Sequence, residues 1–153
     1  MDTEKEELYQ ALILDHDQAP RHFHRLDPFS HTAEAYNPLC GDRYTIYLDL
    51  NSHIIRQISF EGYGCAISKA SASMMTSMLS GASFESALAL FSSFRTALLI
   101  ENPPSDDSLG DLITLTGVIS APTRIKCALL AWEAACTAIQ GASRHAITPE
   151  TTN

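Results

Sequence analysis

The spacing of apolar residues changes along the chain from alternation to a helical period. Every second residue from Tyr44 to Leu50 is apolar, which predicts a strand with one buried face. Asn51 and Ser52 suit a tight hairpin turn into a second strand, "HIIRQISFEGYG". The segment "TAEAYN" predicts a third, shorter strand before them. The first half of the chain therefore contains a small antiparallel sheet.

Helical periodicity surrounds this β region. An amphipathic N-terminal helix is predicted to about Asp17, and the helical period returns after Gly64. The later helices are predicted in "CAISKASASMMTSML", "SFESALALFSSFRTALLI" with Ser83 as its N-cap, the shorter "LGDLITLTGVI", and "TRIKCALLAWEAACTAIQG", which ends at Gly141. We expect an α+β fold in which about five helices pack on the three-stranded antiparallel sheet.

The length and the net charge of the chain limit the classes of protein to which it can belong. The 153 residues fit one domain over residues 1–141, with a flexible C-terminal tail over 142–153. No apolar run is long enough to span a bilayer, and the acidic start "MDTEKEE" does not resemble a secretory signal. We therefore expect a cytoplasmic protein with no membrane partner. A net charge of −8 disfavours a nucleic-acid partner, because phosphates would be repelled.

Four cysteines carry the candidate chemistry: Cys40, Cys65, Cys127 and Cys136. Thiols stay reduced in the cytoplasm, so these residues indicate metal binding, catalysis or core packing. No C-x-x-C pair occurs, which disfavours a thioredoxin-type site and the commonest zinc-finger spacing. Cys136 lies nine residues after Cys127 and so points to the opposite side of the last helix. We interpret Cys136 as a small core residue.

The other three cysteines lie where a thiol can be used. Cys40 lies in the turn-forming segment "NPLCGD", and Cys65 and Cys127 lie near predicted helix starts, whose dipoles stabilise thiolates. Asp42 shares a face with Cys40 if the segment is extended. Three sulfurs and a carboxylate suit tetrahedral zinc, and thiolates also bind iron. The long spacing between the cysteines also allows three separate buried thiols.

Nearby basic and imidazole groups allow two interpretations each. Lys69, Arg124 and Lys126 are either ordinary surface charges or groups that offset the negative charge of a thiolate site. His22 and His24 could pair on a metal, but their polar loop favours solvated side chains.

Three motifs resemble a known family. The segments "AEAYNPLCGDRYTIYL", "FEGYGCAISKASASMM" and "RIKCALLAWE" resemble the SufU/IscU-like (NifU N-terminal type) family of iron–sulfur cluster assembly proteins, as does the opening "LYQALILDH". Scaffold-type members have a histidine immediately before their third cysteine, where this chain has Lys126. The long stretch over about residues 83–120 also resembles the zinc-dependent SufU sulfurtransferase type rather than the scaffold type.

This resemblance implies a function and a site. It implies Zn²⁺ bound by Cys40, Asp42, Cys65 and Cys127, and sulfur transfer from a SufS-type pyridoxal-phosphate cysteine desulfurase to downstream cluster assembly proteins. We expect Cys40 to receive the sulfur, because a loop residue moves with the least disturbance. The alternatives are a scaffold that holds a transient iron–sulfur cluster, and a structural zinc domain without chemistry.

Overall fold

The computed structural model of the chain describes residues 3–100, 107–118 and 121–147. Its elements are, in order, α1 (Thr3–Gln18), β1 (His31–Asn37), β2 (Asp42–Asn51), β3 (Ile54–Tyr63), α2 (Ala66–Leu79), α3 (Phe84–Leu99), a 3-10 helix (Asp107–Leu112), α4 (Ile113–Val118) and α5 (Pro122–Ile147). The described residues thus form one three-stranded antiparallel sheet and five α-helices, which confirms the predicted fold class.

The sheet has the order β1-β2-β3, with β2 in the centre. The alternation that predicted β2 is also its burial pattern, since Tyr44, Ile46 and Leu48 are fully buried. Helix α5 packs against β1 and β2, while α2 packs against β3. Helix α1 packs on α2, and α3 packs on α5. The core therefore lies between one face of the sheet and the α2–α5 pair.

Helix α2 is the central helix, because it is buried on almost every side. Its run from Ala70 to Thr76 is buried throughout, and its many alanines and serines let neighbouring backbones approach closely. The serine hydroxyls in this run have partners: Ser71 Oγ donates to Ala128 O at 2.6 Å and accepts from Trp132 Nε1 at 3.2 Å. These bonds fix α5 on α2, which determines where Cys127 lies.

Two predicted boundaries are wrong. The β2–β3 turn consists of Ser52 and His53, one residue later than predicted, and both have positive φ (53° and 65°) as a tight hairpin turn requires. Helix α5 begins at Pro122 and continues through Gly141 to Ile147. The helix therefore ends later than the predicted Gly141, and the flexible tail predicted for 142–153 stays a prediction, since 148–153 lie outside the described residues.

The extension of α5 has a physical cause. One glycine inside a helix costs only about 1 kcal/mol relative to alanine. Ala138 and Ala142 on either side of Gly141 pack against the core, which offsets this cost. Within the described part of the chain, no helix is both long and apolar enough to cross a membrane.

Candidate metal centre

Three of the predicted ligands meet at one end of the sheet. One ligand atom each from Cys40, Asp42 and Cys127 lies within 4.8 Å of the other two. Asp42 begins β2, Cys40 lies in the turn that precedes it, and α5 carries Cys127 to the same place because it packs along β1 and β2. The sulfur atoms of Cys40 and Cys127 are 3.5 Å apart. We call these three residues the Cys-Asp-Cys cluster.

The turn that carries Cys40 is fixed by its backbone. Cys40 N and Gly41 N both donate to Asn37 O, at 3.3 and 2.8 Å, and Asn37 Oδ1 accepts from Leu39 N at 3.1 Å. Gly41 has φ +76°, a conformation that other residues adopt only with strain, whereas a side chain there would meet no atom within 4 Å. The turn leaves Cys40 exposed at the surface while its sulfur reaches Cys127.

Asp42 is the buried carboxylate of the cluster. It is fully buried, and its Oδ1 accepts a hydrogen bond from Cys65 N at 2.9 Å. Its Oδ2 is also buried and has no hydrogen-bond partner among the described residues. A buried carboxylate oxygen without a donor is unfavourable, so such an atom calls for a cation. The donor chemistry of the cluster, two sulfurs and a carboxylate, fits Zn²⁺.

Cys65 lies beside the cluster rather than in it. It is the N-cap of α2, where its Sγ accepts from Ser68 N at 3.4 Å and lies 3.7 Å from Ser68 Oγ. Its backbone N–H binds Asp42, so the residue is adjacent to the predicted ligands, but the cluster does not include its sulfur. A side chain on Gly64 would collide with Ser68 Oγ and Asp42 Oδ1, which explains the glycine before Cys65.

The expectation that a helix start stabilises the Cys127 thiolate is wrong for the metal-free chain. Because α5 begins at Pro122, Cys127 lies in the second turn and is fully buried. This burial is the main cause that raises the pKa of the Cys127 thiol far above its usual range, followed by the Cys40 sulfur at 3.5 Å and the negative charge of the neighbouring Asp42. A thiol of this kind holds its proton until a metal displaces it, so metal binding should release protons.

The remaining cysteine behaves as predicted. Cys136 is buried at 2% exposure, and burial raises the pKa of its thiol to about 12. This burial confirms its interpretation as a core residue, and the Cys-Asp-Cys cluster of the described residues does not include it.

The basic and imidazole candidates lie outside the cluster. Arg124 and Lys126 are exposed on the first turns of α5, and Lys69 Nζ lies 5.0 Å from the centre of the Phe23 ring. None of the three forms an ion pair with a described residue. The two histidines bond elsewhere, His22 Nδ1 to Thr76 Oγ1 and His24 Nδ1 to Arg25 O, both at 3.1 Å.

Sequence reasoning missed a pair of buried hydroxyls behind the cluster. Tyr44 OH and Ser68 Oγ are 2.8 Å apart, and both residues are almost completely buried. Burial is also the main cause that raises the pKa of the Tyr44 phenol. The alternation of β2 indicates that Tyr44 points inward, but no local pattern indicates that it meets a serine 24 positions later.

Comparison with known proteins identifies the class of protein that this fold and cluster define. The family model of the NifU-like N terminal domain matches residues 8–146. The chain therefore belongs to this family, which confirms the resemblance seen in its motifs, and its relatives are iron–sulfur cluster assembly proteins.

Individual relatives show the range within the family. The chain is 42% identical to the zinc-dependent sulfurtransferase SufU of Bacillus subtilis (strain 168), covering 83% of this chain and 86% of that protein. It is 40% identical to the iron–sulfur cluster assembly scaffold protein IscU of Streptococcus pyogenes serotype M1, and the match covers 87% of this chain and 83% of that protein. FiSufU from Fervidobacterium islandicum AW-1 is proposed as an iron–sulfur cluster assembly scaffold protein for the SUF system. Its solved structure superposes on this chain with a TM-score of 0.78 at 29% identity, and the match covers 84% of this chain and 93% of FiSufU.

Proposed function

We propose that this protein is a zinc-dependent sulfurtransferase, which accepts persulfide sulfur from a SufS-type cysteine desulfurase and passes it to downstream cluster assembly proteins. The observation that carries the proposal is the asymmetry of the Cys-Asp-Cys cluster. One of its residues, Cys40, is exposed on a turn, while Asp42 and Cys127 are fully buried. A purely structural site has no need to expose one of its ligands.

The chain's own residues fit Zn²⁺. Cys40, Asp42 and Cys127 would hold the ion, and Cys65 would complete a tetrahedral set from its adjacent position. When bound, zinc keeps the thiols deprotonated and neutralises the buried carboxylate. Asp42 Oδ2, which lacks a donor, supports this ligand set more directly than the cysteine spacing does.

Cys40 is the acceptor in this proposal. Its thiolate attacks the outer sulfur of a persulfide on the donor enzyme. The sulfur–sulfur bond of the donor breaks, the donor cysteine leaves as a thiolate, and Cys40 holds the transferred sulfur as a new persulfide. The reaction exchanges one sulfur–sulfur bond for another and needs no further oxidant. Cys127 cannot meet a partner in this way, because no part of it is exposed.

The basic residues around the cluster have a supporting role in this proposal. Arg124 and Lys126 are exposed beside Cys127, and Lys69 follows Cys65 by one helical turn. They would offset the negative charge of three thiolates and a carboxylate against one dication. We expect the reaction to take place in the cytoplasm, where the desulfurase partner would be met.

A scaffold function is the second candidate, because the IscU relative is nearly as similar as the SufU relative. A scaffold would hold a transient iron–sulfur cluster on the same thiolates. Purification without air, followed by metal analysis and a visible spectrum, separates the two functions. One zinc per chain with no visible absorption supports the sulfurtransferase, whereas a coloured iron-containing protein supports the scaffold.

The decisive experiment maps the transferred sulfur. The zinc-loaded protein is mixed with a cysteine desulfurase and cysteine, and added sulfur is located by mass spectrometry. We expect the first persulfide on Cys40, and Cys40→Ala should abolish stimulation of the desulfurase. Cys136→Ala is the matched control and should behave like the unmodified protein. First labelling of Cys65 or Cys127, with an active Cys40→Ala variant, would contradict the proposal, as would sulfur transfer that survives every cysteine change.

A further inference from the structure

The buried hydroxyls of Tyr44 and Ser68 lie directly behind the side chain of Cys65. Ser68 Oγ is 2.8 Å from Tyr44 OH, 3.1 Å from Cys65 O and 3.7 Å from Cys65 Sγ. Ser68 N also points at the same sulfur, at 3.4 Å. Both polar groups of Ser68 therefore converge on Cys65.

The direction of these hydrogen bonds follows from the available partners. The hydroxyl of Tyr44 is fully buried, and Ser68 Oγ is its hydrogen-bond partner among the described residues. A phenol at neutral pH carries a proton that must be donated when it is buried. If Tyr44 donates to Ser68, the hydroxyl of Ser68 donates its own proton to Cys65 O at 3.1 Å, and Ser68 Oγ remains an acceptor for the thiol of Cys65 at 3.7 Å. The hydrogen bonds then run from Tyr44 through Ser68 to the backbone carbonyl of Cys65.

Cys65 is an unusual residue at a helix N-cap, so its side chain needs other groups to hold it in place. Ser, Thr, Asp and Asn are preferred at helix N-caps because oxygen accepts hydrogen bonds well. The sulfur of Cys65 accepts from the N–H of Ser68 instead, and sulfur is a weaker acceptor than oxygen. The orientation of Cys65 therefore depends on Ser68, which binds both its sulfur and its carbonyl oxygen.

We propose that Ser68, supported by Tyr44, is a positioning residue that orients the Cys65 side chain for its place in the ligand set. Groups that hydrogen-bond to a metal ligand orient it, and their loss typically lowers metal affinity 10- to 100-fold. The tight space around Gly64 fixes the arrangement, since a side chain there would displace both Ser68 Oγ and Asp42 Oδ1. This inference rests on the proposed zinc site and specifies what holds its fourth ligand.

The test measures metal binding instead of sulfur transfer. The protein is freed of metal, and its Zn²⁺ affinity is measured by competition with a chelating dye. Tyr44→Phe and Ser68→Ala should each lower the affinity about 10-fold. With Co²⁺ as the probe, both variants should weaken the sulfur-to-cobalt charge-transfer absorption. Tyr47→Phe is the matched control, because Tyr47 lies in the same strand and its hydroxyl bonds to Glu61 at 2.7 Å, away from the cluster.

A double variant separates positioning from general destabilisation. If Tyr44 acts through Ser68, the Tyr44→Phe/Ser68→Ala variant should lose no more affinity than Ser68→Ala alone. Additive losses, an unchanged cobalt spectrum or tighter zinc binding in the single variants would overturn the inference while leaving the proposed function intact. A wild-type chain that binds no zinc would instead overturn the proposed function, and this inference with it.

Discussion

Asp42→Asn should make the metal-free protein more stable and the zinc-bound protein less stable. In the metal-free chain, Asp42 Oδ2 is buried and finds no hydrogen-bond donor among the residues that the structure describes, while Oδ1 accepts from Cys65 N. Asparagine keeps the shape and the acceptor for Cys65 but removes the buried charge. An unsatisfied buried group costs about 1–3 kcal/mol, and more if it is charged. Because the new amide group also meets poor acceptors, we expect a net gain of about 1 kcal/mol, which raises Tm by about 2–4 °C.

Bound zinc should reverse the order of stability of the two proteins, so that Asp42→Asn becomes the less stable one. Ligand binding adds a stabilisation that grows with the logarithm of affinity, so each hundredfold loss of affinity removes about 2.7 kcal/mol. A neutral amide oxygen is a weaker zinc ligand than a carboxylate, and Asp42→Asn should therefore gain much less from zinc than the unmodified protein. The melting temperatures of the two proteins should cross between a sample with chelator and a sample with excess zinc.

The assay is thermal unfolding followed by circular dichroism, with and without zinc. Asp49→Asn is the matched control, because Asp49 lies in the same strand and only forms a partly exposed ion pair with Arg56 at 3.7 Å. Its Tm should change little under either condition, since exposed ion pairs contribute about 0–1 kcal/mol. A lower Tm for metal-free Asp42→Asn, or an undiminished response to zinc, would refute the argument from the unpartnered carboxylate oxygen.

Four other variants test separate features. Cys65→Ala and Cys127→Ala should lower zinc content and Tm together, measured by metal analysis and calorimetry; full zinc content in both would exclude this ligand set. Cys136→Ala should keep its zinc and lose less stability than the about 2–5 kcal/mol of a buried leucine truncation, and zinc loss would contradict its separation from the cluster. The pKa of His16 is lowered below its ordinary 6.5, mainly because the side chain is buried, although the negative charge of Asp111 opposes this shift. The folded state therefore binds fewer protons than the unfolded state. Stability should therefore decrease as pH falls below about 6.5, and His16→Gln should flatten that dependence in pH-resolved melting curves.

Local patterns were sufficient for most of the fold. Alternation placed the buried face of β2 correctly because one side of the sheet is covered by helices and the other is not. Ser83 was recognised as the N-cap of α3, where its hydroxyl accepts from Ser86 N at 3.0 Å. Helical phase separated Cys136 from Cys127, since nine residues turn a helix to its opposite side. Each of these features depends on neighbours within a few positions.

The features that were missed depend on contacts between distant segments. His16 Nδ1 lies 2.7 Å from Ser73 Oγ across 57 positions, and Tyr44 meets Ser68 across 24. Packing of Ala142 carries α5 past a glycine that would end an isolated helix. The cap position of the Cys65 sulfur depends on the orientation of one side chain, which no spacing pattern encodes.

The span of the cluster also sets when it can exist during synthesis of the chain. Cys40 and Cys127 are separated by 87 positions, and Cys127 lies on α5, which is synthesised after the sheet and the other described helices. A growing chain that has completed its sheet presents Cys40 and Asp42 without their buried partner. The cluster can therefore form only after α5 has docked on the sheet, so that metal capture reports this docking, and a chain that stops before α5 lacks a ligand that would let it compete for zinc.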